Sequence, residues 1–234
     1  MEGLGLTETR LVGGDMNLVV RVGDTVRRPP EPDHVRELLL WYERVGFDGA
    51  PRFLGYDERG REILSFIEGD PGFAPVPSSD EVIVEIGQLL RRAHDAQQEY
   101  APPGQVVAHL DLFWTNVIFR AGRPVALIDW ELACPATRTL EVALAATYWA
   151  GIRIDEQLVE WGIPLDRRGE RLRLLCDAYG LEDDARASLL EELIAHRRDR
   201  IATRSFRGTT PLALIEANLR WTEAHAPELA TFLV

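Results

Sequence analysis

The stretch VVAHLDLFWTNVIFRAGRPVALIDWE, from Val106 to Glu131, constrains the fold more than any other part of the chain. QVVA reads as a short strand, HLDLFWTN as an irregular loop, and VIFR and PVALID as a hairpin around the turn AGR. A hairpin returns the chain to its starting point, so the loop begins beside the place where the hairpin ends. Asp111 and Asn116 are thereby drawn toward Asp129, although 18 positions separate the two aspartates. Two carboxylates and an amide oxygen at strand ends make a hard-oxygen environment. Such a set suits Mg²⁺, which takes one or two carboxylates together with substrate phosphates. The plainer alternative is that Asp111 and Asn116 cap backbone groups as Asx turns do and that Asp129 is a strand-end turn residue.

The segments before this stretch read as a small β-rich unit. TRLVGG, NLVVRVG and TVRRP are short strand-like runs, the latter two joined through Gly23-Asp24, a hairpin signal. PDHVRELLLWYERVG predicts a helix with Asp33 as N-cap, apolar positions Val35, Leu38, Leu39 and Tyr42, and Gly46 as its stop. PRFLGYDERGREILSFIEG then gives two strands around a turn at Glu58 to Gly60. DPGFAPVPSS, with three prolines in ten residues, is the linker candidate, followed by a capping box of Ser78 with Glu81 and a helix to about Ala96. Beyond Glu131 the pattern is helical almost to the end. Strands and helices are segregated, so the expected class is α+β in two lobes, residues 1–70 and 71–234.

Composition narrows the function. The formal net charge of −12 argues against nucleic acid as a partner and weakly favours a cationic small molecule. No apolar run approaches the roughly 20 residues of a membrane span, and the N-terminal MEGLGLTETR lacks a secretory pattern. Cys134 and Cys176 stand far apart, as reduced thiols of a cytoplasmic protein would. All 26 basic side chains counted as Lys or Arg are arginine. Any mechanism that ordinarily employs a lysine must do without one.

HLDLFWTN followed by LIDWE resembles the catalytic loop and metal-binding strand of aminoglycoside phosphotransferases and related small-molecule kinases, whose fold is protein-kinase-like. The resemblance implies that Asp111 accepts the proton of a substrate hydroxyl. It also implies that Asn116 and Asp129 hold Mg²⁺ against the phosphates of ATP, and that His109 braces the loop. LVGGDMNLVVRVG resembles the hairpin over the phosphates, with Gly13, Gly14 and Asn17 near its turn. LSFIEG, containing Phe66 and Ile67, resembles the segment between the lobes that contacts adenine. LLRRAHDA resembles the helix that precedes the catalytic strand.

Two departures stand out. Leu110 replaces the small or polar residue usual between His and Asp. VRRP stands where a phosphate-pairing lysine is expected, so Arg27 or Arg28 must take its place, with Glu37 on the following helix as the expected ion-pair partner. The resemblance implies an ATP- and Mg²⁺-dependent phosphotransferase acting on a hydroxylated small molecule. A non-catalytic nucleotide- or toxin-binding immunity-type protein on the same fold is the alternative. The acceptors of the resembling family are often cationic. Glu141, Asp155, Glu156, Glu160, Glu182, Asp183 and Asp184 are acidic positions in the helical half that would suit such an acceptor if they lined the cleft. A His/Asp metal cluster of His94, Asp95, His109, Asp111 and Asp129 is a remoter possibility. The tryptophans at 149, 161 and 221 read as core, and AHRRDR (195–200) as a solvated helix face.

Overall fold

The computed structural model describes residues 7–11, 19–72, 79–204 and 211–234. A five-stranded antiparallel sheet forms the first lobe: β1 (Glu8–Arg10), β2 (Val20–Val22), β3 (Thr25–Arg28), β4 (Phe53–Tyr56) and β5 (Glu62–Ser65), in the order β1-β2-β3-β5-β4. The β2–β3 turn falls at Gly23-Asp24, with Gly23 at φ 60°. Helix α1 (Asp33–Val45) packs under this sheet through Val35, Leu38, Leu39 and Tyr42, and Gly46 ends it in the left-handed conformation that glycine adopts without penalty. Burial of each of those side chains is worth about 1.5–3 kcal/mol.

Two cap assignments shift. Pro32, not Asp33, is the N-cap of α1, because proline's fixed φ already supplies the extended entry; Asp33 sits in the first turn and pairs with Arg36 at 2.8 Å. Ser78 lies outside the described residues. Ser79 caps α2 (Asp80–Ala96) by accepting from the Val82 N–H.

The helical lobe begins with β6 (Asp70–Pro71), which pairs with the hairpin of β8 (Val117–Arg120) and β9 (Arg123–Leu127). Helix α2 leads to β7 (Val106–Ala108), which pairs with β10 (Cys134–Ala136). The remainder is α3 (Arg138–Trp149), α4 (Asp155–Glu160), α5 (Arg168–Tyr179), α6 (Asp183–Thr203) and α7 (Leu212–Ala230). The core runs unbroken from α1 through α2, α3 and α5.

Three features tie the lobes to the loop between β7 and β8. Gln97 is fully buried; its amide donates to the Tyr42 hydroxyl at 2.8 Å and to the Val107 carbonyl at 3.0 Å, and its oxygen accepts from the Val107 N–H. Trp130 packs on Tyr42 (5.3 Å between ring centroids) and on His109 (4.6 Å). Gly72 passes so close to the loop that a Cβ would stand 2.7 Å from the Trp114 carbonyl, which accepts from the Gly72 N–H at 3.0 Å. No helix among the described residues is long and apolar enough to cross a membrane.

Candidate active site

The stretch from Val106 to Glu131 folds as its pattern predicts, and its loop is held from both sides. His109 is fully buried, and its Nε2 bonds to the Ile128 carbonyl at 2.8 Å while its Nδ1 accepts from the Asp111 N–H at 3.3 Å. Those partners assign the proton to Nε2. Burial pulls the imidazole down to about 4, so it stays neutral and acts as a brace. The Ile128 N–H donates to the Asn116 carbonyl at 2.9 Å, so the residue before Asp129 is bonded to both ends of the loop.

Below the loop lies Glu141 of α3, fully buried, whose carboxyl accepts from the Leu110 N–H at 3.1 and 3.3 Å. Burial pushes this group up to about 8, against the pull of the Leu110 and His109 N–H donors. Leu110 has φ 63°, a left-handed conformation costing a branched residue roughly 1–2 kcal/mol. The carboxyl beneath its N–H offsets that strain.

Asn116 closes the loop. It ends a short 3₁₀ turn (Trp114–Asn116), and its Nδ2 donates to the Asp111 carbonyl at 3.0 Å and to Asp111 Oδ2 at 3.1 Å. The amide oxygen is thereby turned to the other side. Asp111 is half-buried, and burial, then the charge of Asp129, raise its carboxyl above the ordinary range. Asp129 itself sits at φ 64°, ψ 59°, a sharp break between β9 and the 3₁₀ turn Trp130–Leu132. Among the described residues, Glu31, Asp129 and Glu131 bring one carboxylate oxygen each to within 4.8 Å of one another. Glu31 was not expected here, and Glu131 was expected on the metal strand without a ligand role. Glu131 was visible as the acidic residue after Asp-Trp, whereas nothing local marks Glu31. The donors are hard oxygens, so Asn116, Asp129 and these carboxylates fit a Mg²⁺ ion.

The two candidate arginines separate by strand alternation. Arg28 faces the cleft and is 7 % exposed; its guanidinium meets Glu62 of β5 at 3.1 Å, Glu31 at 3.6 Å and Asp129 Oδ1 at 3.7 Å. Cross-strand pairing sets Arg28 opposite Glu62 and so on one face with it. Arg27 turns to the opposite face, where it meets the Thr25 hydroxyl at 2.6 Å and Asp57 at 3.9 Å. The expectation for Arg27 is therefore corrected to Arg28. Glu37 also differs from expectation: it is exposed and lies by the Tyr100 phenol, and the carboxylates meeting Arg28 come from β5, the turn before α1 and Asp129.

Gly13, Gly14 and Asn17 lie outside the described residues. Phe66 sits between the lobes beneath the Arg21 guanidinium, 3.6 Å from its ring, with its N–H bonded to the Asp24 carbonyl. Ile67 points to the other side, into a groove lined by Glu85, Leu89, Arg92 and Arg120. His94 does not join a metal cluster: it is buried against the Tyr179 hydroxyl at 2.7 Å, and Asp95 pairs with Arg138 at 3.0 Å.

Among the acidic positions of the helical half, five have other settings, and Glu156 and Glu160 are exposed on α4. Glu141 is spent under the loop, and Asp155 pairs with Arg168 at 2.6 Å. Glu182, Asp183 and Asp184 stand at the first turn of α6, ~25 Å along the helix from Arg200. The charge of Arg200 acts on Asp111, though less than burial, Asp129, Asn116 and Glu131 do. AHRRDR is thus only partly a solvated face, since Arg197 is buried and Arg200 half-buried. The signal was present in the spacing: Leu190, Leu193, Arg197 and Arg200 continue one helical stripe.

Known proteins match the chain in sequence and in fold. The sequence profile of the phosphotransferase enzyme family matches residues 37–175, more than half of the chain and the whole of the loop and metal strand. The chain belongs to that family. A trifolitoxin immunity protein of Rhizobium leguminosarum bv. trifolii is 38% identical over 208 residues, 80% of this chain and 79% of that protein. The Plasmodium vivax ethanolamine kinase superposes with a TM-score of 0.64 at 15% identity, covering 98% of this chain and 83% of that one. The streptomycin–ATP ternary complex of APH(2'')-IIa superposes with a TM-score of 0.56 at 12% identity, covering 86% and 88%. At such identities the two structures establish the fold, which is protein-kinase-like, with a β-rich first lobe and a helical second.

Proposed function

We propose that the chain moves the γ-phosphoryl group of ATP to a hydroxyl of a small molecule. The observation that carries this reading is the Asn116 amide bonded to Asp111, with the Asn116 carbonyl bonded to the Ile128 N–H, next to Asp129 of the three converging carboxylates. The acceptor oxygen bonds to the γ-phosphorus, the bond from that phosphorus to the β–γ bridging oxygen breaks toward ADP, and the hydroxyl proton passes to Asp111. Asn116 orients Asp111 through its Nδ2 and leaves its oxygen for a cation. Asn116 and Asp129, with Glu31 and Glu131 beside them, would hold Mg²⁺, which when bound neutralises charge on the phosphates. Arg28 adds a fixed positive charge, and the backbone at Phe66 and Ile67 would meet adenine. Catalysis then rests on positioning and charge, with no covalent intermediate on the protein.

The test is Asp111→Asn. Turnover falls roughly 10²–10⁴-fold while Mg·ATP binding changes little. Wild-type turnover in that variant would sink the assignment. A second reading, a non-catalytic immunity-type binder, draws on the 38% identical relative named for immunity and on the absence of lysine. Under it, no acceptor or Mg·ATP turnover is found and Asp111→Asn leaves protection intact.

A further inference from the structure

The groove that receives the Ile67 side chain has a volume of about 590 Å³, and none of Asp111, Asn116 or Asp129 lines it. That volume is one that small-molecule sites commonly have. Its apolar lining comes from three elements: Ile67 between the lobes, Leu89 of α2, and Pro124 and Val125 of β9. Leu89 and Pro124 are buried, and Ile67 and Val125 are partly exposed. Its charged lining is Arg92, Arg120 and Arg123 with Asp48 and Glu85. One positive charge is left in surplus, in a chain whose net charge is −12.

Local sequence sets two of these cations side by side. Ala121 and Gly122 form the β8–β9 turn at φ 50° and 76°, the signs that a two-residue hairpin turn requires. The turn leaves Arg120 and Arg123 directly paired across the strands, and such partners share a face. Like charges so placed destabilise a sheet. Glu85 of α2 answers one of them: its Oε1 accepts from Arg123 Nε at 2.7 Å and lies 2.6 Å from Nη2. Arg120 meets a neutral partner, donating from Nε and Nη2 to the Glu68 carbonyl at 3.3 and 3.1 Å. Arg92 pairs with Asp48 at 3.4 Å, and both side chains are more than half exposed. Exposed pairs of this kind are weak, so each guanidinium can turn to a ligand that offers it two oxygens.

We propose that this groove is a second ligand site, for a small amphipathic monoanion: a carboxylate held between Arg120 and Arg123, with its apolar body along Leu89, Val125 and the Ile67 side chain. The planar fork of arginine matches the two oxygens of a carboxylate. One negative charge equals the surplus of the lining, whereas the second charge of a phosphate would face Glu85 unmatched. The apolar residues beside the cations favour a ligand whose body leaves water together with them. Asp111, Asn116 and Asp129 take no part in the site, so it stands or falls apart from the phosphotransferase reading.

The test is calorimetry on the full chain, with octanoate titrated beside octanol, octylammonium, acetate and octyl phosphate. Octanoate is expected to bind at least about 10-fold more tightly than octanol, octylammonium or acetate, and more tightly than octyl phosphate. Arg120→Gln lowers its affinity by about 10-fold or more, whereas Arg198→Gln, an exposed residue of α6 paired with Glu223, leaves it unchanged. Glu85→Gln acts in the opposite direction. It releases Arg123 to the ligand and tightens octanoate by up to about 5-fold, a gain that misfolding does not produce. Octanoate is expected to stay bound when a non-hydrolysable ATP analogue and Mg²⁺ are saturating. Octanol, octylammonium or acetate binding as tightly as octanoate, or octyl phosphate binding more tightly, overturns the proposal. So does an affinity that Arg120→Gln and Glu85→Gln both leave unchanged, and displacement by the ATP analogue would place octanoate in the cleft instead.

Discussion

Arg28 is the residue on which the missing lysine turns, and its surroundings set the size of the effect. It is buried against Glu62, itself 1 % exposed, and it also reaches Glu31 and Asp129. Arg28→Ala leaves Glu62 as a buried charge without its cation, a change that costs about 3–5 kcal/mol. For a chain of this size each kcal/mol shifts the melting midpoint by about 2–4 °C, so a drop of ~6–20 °C is expected. Loss of stability alone would not distinguish a phosphate-binding role from a structural one. The double variant Arg28→Ala/Glu62→Ala removes both buried charges and recovers most of the stability, but it does not restore the positive charge beside Asp129. Mg·ATP affinity, followed by calorimetry below each melting transition, is expected to stay weakened about 10-fold or more in both variants, with adenosine affinity unchanged. Arg27→Ala, on the other face of β3, leaves both quantities near wild type. A double variant that regains Mg·ATP affinity would show that Arg28 only neutralises Glu62, and equal losses from Arg27→Ala would refute the assignment of faces.

Two further outcomes follow from the same geometry. Asp129→Ala removes a carboxylate of the cation-binding set, so Mg²⁺-dependent ATP affinity falls by about 10-fold or more while adenosine still binds; an unchanged Mg·ATP titration returns Asp129 to a turn residue. Glu141 holds its proton to about 8 when folded, against 4.5 for the unconstrained group, so the folded state binds more protons across that window. Stability is therefore highest at the acid end and declines as pH rises toward 8, by at most about 1.4 kcal/mol per unit from this one group. Glu141→Gln has no proton to release, and its denaturation midpoints at pH 5 and pH 8 should differ less than those of the wild type; an identical pH slope counts against the buried acid.

What could be read from the sequence was what depends on local pattern. The loop-and-hairpin block carried its own geometry: a two-stranded return forces residue 129 back beside residue 111, and turn chemistry at Gly23 and Gly46 fixed the elements of the first lobe. What escaped was decided by tertiary partners. Whether Arg27 or Arg28 faces the cleft depends on register, and one residue of slip exchanges the faces of a strand; only the pairing of Arg28 with Glu62 across β3 and β5 settles it. Glu31 reaches the metal set because the turn before α1 folds over the end of β9, a contact between residues about 100 positions apart. Composition is silent on the acceptor for a related reason. Net charge sums over the whole surface, while an acceptor responds to charges within about 8–10 Å of its own, the distance over which salt screens the rest. The acidic first turn of α6 stands ~25 Å along the helix from Arg200, whose charge acts on Asp111. Which charges an acceptor meets is therefore set by how the helices pack against the loop, and composition does not hold that information.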